Sequence, residues 1–233
     1  MIRLPRRFAL IGAGIALIRP ARALEEVEAA TMLGLQDAAA YLKRTSGRVA
    51  IAKWHDDLWA SCLATEDDRV VSAAIIQEDP ATGAKRIVAG PVDAEVLTID
   101  PFWTLDLSIG PLQPLGPGVP AFGLTVSNSY LSTGRSTGSE SLSIFLRDGA
   151  TLRQVFRGYV QASSSEDVPC RHPRADGVPC RSGWSHQWAI RVAGPSVGGR
   201  PPPLAVIARP SGRVVSRPVW RGDRYRPDQF DAM

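Results

Sequence analysis

The sequence predicts a mainly β protein, built as a single antiparallel sandwich or barrel-like domain with a short N-terminal helix. After Gly47 the apolar residues recur with a period of two, which is typical of strands, and no longer at helical spacing. Turn-forming residues interrupt the chain at short intervals. Asp148 and Gly149 between two apolar segments form the strongest hairpin signal in the chain. These features favour antiparallel strands that pair with their sequence neighbours.

Residues 1–23 have the layout of a secretory signal peptide. Three arginines lie within the first seven residues, an apolar stretch follows at 8–18, and the segment ends in the small residues Ala21 and Ala23. The apolar stretch is shorter than the roughly 20 residues that span a bilayer. We therefore predict a periplasmic or secreted protein of bacterial type. Its single mature β-rich domain covers residues 24–233 and has no transmembrane anchor after signal removal.

The charge of the chain depends on this segment. The whole sequence has a formal net charge of +4, but residues 1–23 contain five arginines and no acidic residue. The remainder holds 22 basic and 23 acidic residues, so we expect no nucleic-acid partner. Residues 165–233 keep an excess of basic residues, with 11 arginines against six acids, which we interpret as scattered surface arginines.

The N-terminal helix is predicted over residues 24–46. Met32, Leu35, Ala39 and Leu42 recur at helical spacing. Acidic residues precede this stretch and basic residues end it, which is the order that the helix dipole favours.

Short strands are predicted through residues 48–233. The segment 103–109 shows the alternation most clearly, with Leu105 and Leu107 on one face and Asp106 on the other. Loops or turns are expected at 79–85, 111–120 and 210–212. The strand candidates cover residues 48–54, 58–64, 69–76, 85–90, 94–99, 103–109, 122–127, 141–147, 150–160, 184–192, 203–209 and 213–220.

The segment GRSTG at 134–138 resembles the short motif around the nucleophile of serine hydrolases. That motif requires a buried strand before the serine and a helix after it, whereas here a polar Ser/Gly-rich stretch precedes Ser136 and a strand-like segment follows. We interpret 134–138 as a flexible loop between two antiparallel strands. A hydrolase that acts on envelope polymers or esters remains an alternative, with His55, His172 and His186 as the available bases.

The cysteines predict a disulfide. Cys170 and Cys180 lie at the two ends of a loop that contains Pro and Gly, and such pairs are oxidised to disulfides in exported proteins. Closing this loop stabilises the fold by about 2–3 kcal/mol in the chain-entropy model. Cys62, in an apolar strand, is interpreted as a buried thiol.

A metal site is the competing interpretation of the same region. Cys170, His172, Cys180 and His186 are ligand types that suit zinc. Their spacing fits no structural zinc pattern, and an oxidising compartment competes for the thiols. The main interpretation therefore includes no metal and no cofactor, and it treats His186 as a core or half-buried side chain.

A candidate ligand-binding cluster lies at Trp54, His55, Asp56 and Asp57, where an aromatic ring adjoins two carboxylates. Adjacent carboxylates point apart on a strand, so we favour a tight polar turn with the tryptophan directed into the core.

The RGD triplet at 221–223 is interpreted in the same way, as the turn of a hairpin that Trp220 and Tyr225 clamp from either side. No catalytic constellation is supported by its sequence context. The sequence therefore indicates a non-catalytic binding or envelope-interaction module, with the hydrolase and the metal-binding protein as alternatives.

Overall fold

The computed structural model describes residues 25–45, 48–55, 57–64, 70–97, 104–110, 115, 121–169, 180–198 and 200–230. Within them the protein is mainly β with antiparallel sheets and two short N-terminal helices, which confirms the predicted fold class. The predicted signal peptide lies outside the described residues. The elements are α1 (Glu26–Met32), α2 (Ala38–Arg44), β1 (Val49–His55), β2 (Leu58–Ala64), β3 (Val70–Glu78), β4 (Lys85–Glu95), β5 (Thr104–Ile109), β6 (Ala121–Ser132), β7 (Arg135–Asp148), β8 (Thr151–Val168), β9 (Cys180–Val192), β10 (Leu204–Arg209), β11 (Val214–Ser216), β12 (Val219–Trp220), β13 (Tyr225–Arg226) and β14 (Gln229–Phe230).

The prediction of a single helix over 24–46 is wrong, because this segment forms two helices. Gly34 has a φ of +92°, a left-handed conformation that ends α1 and that glycine adopts without steric cost. Asp37, at φ 53°, begins α2 in a second left-handed turn. Both helices pack against one face of the small sheet, where Ala29 and Ala30 are buried. None of the helices in the described residues is long and apolar enough to cross a bilayer.

The small sheet consists of β1 to β4 in sequence order, each antiparallel to the next. Strand β4 runs without interruption from Lys85 to Glu95, whereas the sequence suggested separate strands at 85–90 and 94–99. The register shifts opposite Gly90, which has a φ of +85°. This irregularity explains why the alternation breaks in the sequence while the strand continues.

The large sheet has the order β11-β10-β9-β8-β7-β6-β5, and its consecutive strands are antiparallel neighbours. The hairpin predicted at Asp148 and Gly149 joins β7 to β8, and the one at 210–212 joins β10 to β11. Trp220 pairs with Tyr225 across the short β12–β13 hairpin, with ring centroids 5.5 Å apart. All three hairpin predictions are confirmed.

The large sheet forks at β9. The first half of β9 pairs with β8, as far as Gln161 opposite Gln187, and the second half pairs with β10 only. Strand β14 lies alongside β8 at the fork, where Gln229 and Phe230 pair in parallel with Arg157 and Gly158. The last described residues therefore complete the hydrogen bonding of β8 beyond the point where β9 leaves it.

The two sheets pack face to face over the main core, so within the described residues the architecture is a sandwich of separate sheets. The small sheet contributes mostly small side chains to this core, including Ala60, Cys62 and Ala73. The large sheet contributes Phe122 and Phe145, whose rings stack with centroids 5.0 Å apart. Large side chains on one sheet thus fill the space above small ones on the other.

Candidate functional site

The cluster predicted at 54–57 begins in β1, which ends at His55, and its last residue, Asp57, lies directly before β2. Trp54 packs against the core with its ring edge-to-face to Phe122, at a centroid distance of 6.4 Å. The Asp57 carboxylate accepts a hydrogen bond from Gln77 Nε2 at 2.7 Å. Asp56 and the His55 side chain lie outside the described residues. Trp54 thus contacts the core and Asp57 a neighbouring strand, while the ligand-binding role of the cluster stays a prediction.

Ser136 lies within a strand, so the loop interpretation of 134–138 is wrong. Only residues 133–134 form the turn, and β7 begins at Arg135. The Ser136 hydroxyl lies 2.8 Å from that of Ser165 on β8. Ser136, Ser165 and Gly183 form one cross-strand row, whereas His186 belongs to a row on the opposite face of the sheet. His186 therefore does not serve as a base for Ser136.

Cys62 is fully buried on β2, as predicted, and burial raises the pKa of its thiol far above the usual range. Cys170 lies outside the described residues, so the disulfide between Cys170 and Cys180 stays a prediction. Cys180 is the first residue of β9.

Counting the reactive thiols of the native, the denatured, and the denatured and reduced protein tests both the burial of Cys62 and the disulfide between Cys170 and Cys180. We expect iodoacetamide to label no cysteine in the native protein, one after denaturation and all three after denaturation with reduction. The single label should map to Cys62, since burial protects it only in the folded state. Mass spectrometry with peptide mapping measures each state. Two or three labels in the unreduced, denatured protein would contradict the disulfide.

The four-ligand metal hypothesis does not fit the course of β9. Cys180 and His186 lie six residues apart on one extended strand, which separates their Cα atoms by about 20 Å. Zinc ligands lie within about 2.3 Å of a single ion, so these two residues cannot share one site. Cys170 and His172 lie outside the described residues. In the described part of the chain, no group of three or more His, Cys, Asp or Glu is placed to hold a metal.

The main exposed aromatic feature is on β9. Trp184, His186 and Trp188 lie on the same face of this strand, and we call them the aromatic strip. Ring centroids are 5.3 Å apart for Trp184 and His186, and 5.8 Å apart for His186 and Trp188. Trp188 is buried and contacts Phe230, whereas Trp184 is 43% exposed and His186 is exposed too. The prediction of a core or half-buried His186 is therefore wrong.

Polar residues lie beside the aromatic strip on the same face. One cross-strand row contains Tyr130, Thr137, Ser164 and Trp184, and the next contains Asn128, Ser139, Ala162 and His186. Asn128 is 4% exposed and Thr137 is 8% exposed. The Asn128 Nδ2 and Thr137 Oγ1 atoms are buried without a hydrogen-bond partner, although Asn128 Oδ1 accepts from Ser139. Both atoms are shielded from solvent, so they make no contact with a ligand on the exposed surface.

These two rows carry no Asp, Glu, Lys or Arg. The adjoining row places Arg135 opposite Glu166, so that its charges balance. The face therefore combines aromatic rings with uncharged polar groups, a combination that suits uncharged polar ligands.

A second cleft, of about 400 Å³, lies between β4, β8 and the C-terminal segment. Arg157 binds the Glu95 carboxylate at 2.7 Å and the Gln229 side-chain oxygen at 2.8 Å. Arg224 binds Asp228 at 3.3 Å. Asp93 accepts a hydrogen bond from Ser72. Because each charged group that lines this cleft already has a partner, the network joins the two sheets and the C-terminal segment.

The alternation of Trp184, His186 and Trp188 was visible in the sequence. Alternation alone does not show which part of a strand is buried. Residues 181–187 of β9 are exposed, whereas Trp188 and Ala189 are buried. No protein-family model, curated protein or solved structure matches this chain.

Proposed function

We propose that this protein is a non-catalytic binding module whose aromatic strip contacts an uncharged glycan chain. The observation that carries the proposal is Trp184, whose indole is 43% exposed and lies 5.3 Å from the ring of an exposed histidine. Exposing an aromatic ring of this size leaves apolar area in water that a ligand can cover.

A sugar ring offers the matching chemistry. Its C–H face packs against an aromatic ring, and its hydroxyls both donate and accept hydrogen bonds. Tyr130, which is exposed, and Ser164, which is half-buried, lie in the same cross-strand row as Trp184 and carry hydroxyls that can donate or accept. The absence of charged side chains from the two rows favours an uncharged ligand over an acidic one.

The sequence of residues 1–23 supports export, which places the module among the polysaccharides of a cell envelope. This location is part of the proposal. Detection of the mature protein in a periplasmic fraction, with an N-terminus at residue 24, would support it, and retention of the leader in the cytoplasm would contradict it.

Replacing Trp184 by alanine tests the function. We expect the Trp184→Ala variant to bind glycan about tenfold more weakly, which corresponds to about 1.4 kcal/mol of lost stacking. Affinity electrophoresis through gels that contain neutral polysaccharides and co-sedimentation with insoluble neutral polysaccharides both measure this loss.

Leu131→Ala is the matched control. Leu131 is 82% exposed near the end of β6, in a row with Ser136, Ser165 and Gly183 on the opposite face of the same strands. Its removal should leave glycan binding unchanged. Equal losses in both variants would show nonspecific apolar adhesion, and full binding by Trp184→Ala would exclude the aromatic strip as the contact surface.

A further inference from the structure

An open cavity of about 650 Å³ lies between the end of β7, the segment before β10 and the β12–β13 hairpin. Two arginines, Arg200 and Arg221, line it from different segments. The rest of its lining is Leu146, Pro201, Trp220 and Gly222. The cavity thus combines two positive charges with an aromatic ring and an aliphatic side chain.

The acidic residues of this region are bound to other arginines. Asp223 pairs with Arg224 at 3.2 Å, and Asp228 pairs with Arg224 and Arg226 at 3.3 Å. Residues 200–230 contain seven arginines and only these two acids. Within the described residues, the guanidinium groups of Arg200 and Arg221 make no ion pair or side-chain hydrogen bond.

The backbones of both arginines are held in place. The Arg200 carbonyl accepts from Ser196 Oγ at 2.6 Å, and its N–H donates to the Val197 carbonyl at 3.2 Å. The Arg221 N–H donates to the Arg224 carbonyl at 2.9 Å across the hairpin turn. The two guanidinium groups are therefore attached to fixed points on opposite segments of the cavity.

A third arginine is the cross-strand partner of Leu146, which lines the cavity. Arg153 on β8 pairs with Leu146 across the β7–β8 ladder, so the two side chains share a face. Its Nε is buried without a hydrogen-bond partner, although its Nη2 lies 3.4 Å from Asp148. A buried N–H of this kind is costly when unpaired, and an anion in the cavity would reduce the excess of positive charge beside it.

We propose that this cavity binds a phosphate monoester, with the phosphate between Arg200 and Arg221 and the organic part against Trp220 and Leu146. A phosphate monoester carries close to two negative charges at pH 7, which matches the two unpaired guanidinium groups. Arginine forms paired N–H···O bonds with phosphate oxygens. The apolar lining gives the organic part a surface that inorganic phosphate cannot use. This site is separate from the aromatic strip and does not depend on it.

Phenyl phosphate is the probe. Isothermal titration calorimetry at low ionic strength should show one site, and the Arg200→Gln/Arg221→Gln double variant should bind at least tenfold more weakly. Because both arginines are exposed, the thermal midpoint of unfolding should not change. The control variant, Arg209→Gln/Arg213→Gln, removes the same charge from the exposed β10–β11 hairpin and should bind within twofold of the wild type.

Three results would overturn the proposal. The first is equal weakening in both double variants, which would mean that only net charge matters. The second is tighter or equal binding of benzoate, a monoanion, and the third is tighter or equal binding of inorganic phosphate.

A second experiment uses vesicles that contain phosphatidic acid. Binding to these vesicles that requires Arg200 and Arg221 supports a membrane-bound phosphate monoester. Selective binding of phenyl phosphate supports a soluble one.

Discussion

Replacing Phe145 by alanine is expected to lower the free energy of unfolding by about 3–5 kcal/mol. Phe145 is fully buried on β7, and its ring stacks on Phe122 at 5.0 Å between the two sheets. The opposite sheet offers mostly alanines at this interface, such as Ala60 and Ala73, and these cannot extend into the space that the ring leaves. The cavity therefore persists, and its cost adds to the lost transfer free energy.

Equilibrium unfolding in urea measures this loss as a lower midpoint at an unchanged slope. Leu131→Ala, which removes an exposed side chain from the neighbouring strand β6, should change stability by less than about 0.5 kcal/mol. A loss below about 1.5 kcal/mol for Phe145→Ala would mean that the sheets close over the cavity, and it would contradict the persistent cavity argued for here.

Gly90→Ala is expected to cost about 2–4 kcal/mol, through two separate effects. Gly90 has a φ of +85°, where a side chain costs about 1–2 kcal/mol. A Cβ at this position would also lie 2.8 Å from the Ala73 carbonyl oxygen, which belongs to the backbone of β3 and cannot move aside alone. The Gly90 N–H donates to the Ala150 carbonyl at 3.2 Å, so a shift of β4 would also disturb the β7–β8 turn.

Gly83→Ala separates the two effects. Gly83 has a φ of +71°, but a Cβ there would meet no atom within 4 Å. We expect it to cost about 1 kcal/mol, the conformational part alone. Urea unfolding of both variants measures the difference, and equal losses would show that β4 moves away from β3 without cost.

Local features of the sequence predicted much of this fold. The period-two pattern and short apolar segments predicted β1, β2, β5 and β10 to within one residue at each end, because each of these strands packs at least one face on a core. Asp148 with Gly149 and the residues at 210–212 predicted two hairpins, because a tight turn requires particular residues. Both kinds of signal depend only on neighbouring residues.

Features that depend on distant residues could not be predicted. The face of β9 that contains Trp184 has the alternation of a buried strand, but the fold leaves Trp184 exposed and buries Trp188 four residues later. Likewise, the arginines of residues 200–230 look scattered in sequence, and the fold alone brings Arg200 and Arg221 to the same cavity. At the candidate site 54–57, Trp54 and His55 belong to β1 and Asp57 precedes β2, and whether this segment binds a ligand stays a prediction.

The fork in the large sheet has a consequence for self-association. Where β9 leaves β8, the backbone N–H and C=O groups near Arg157 and Gly158 would form an open edge that another chain could extend. The short strand β14 pairs with this edge, and the Arg157 N–H also donates to the Asp228 carbonyl at 2.9 Å. Two paired residues at β14 thus protect the interior of an eight-stranded sheet from adding a strand of a second molecule.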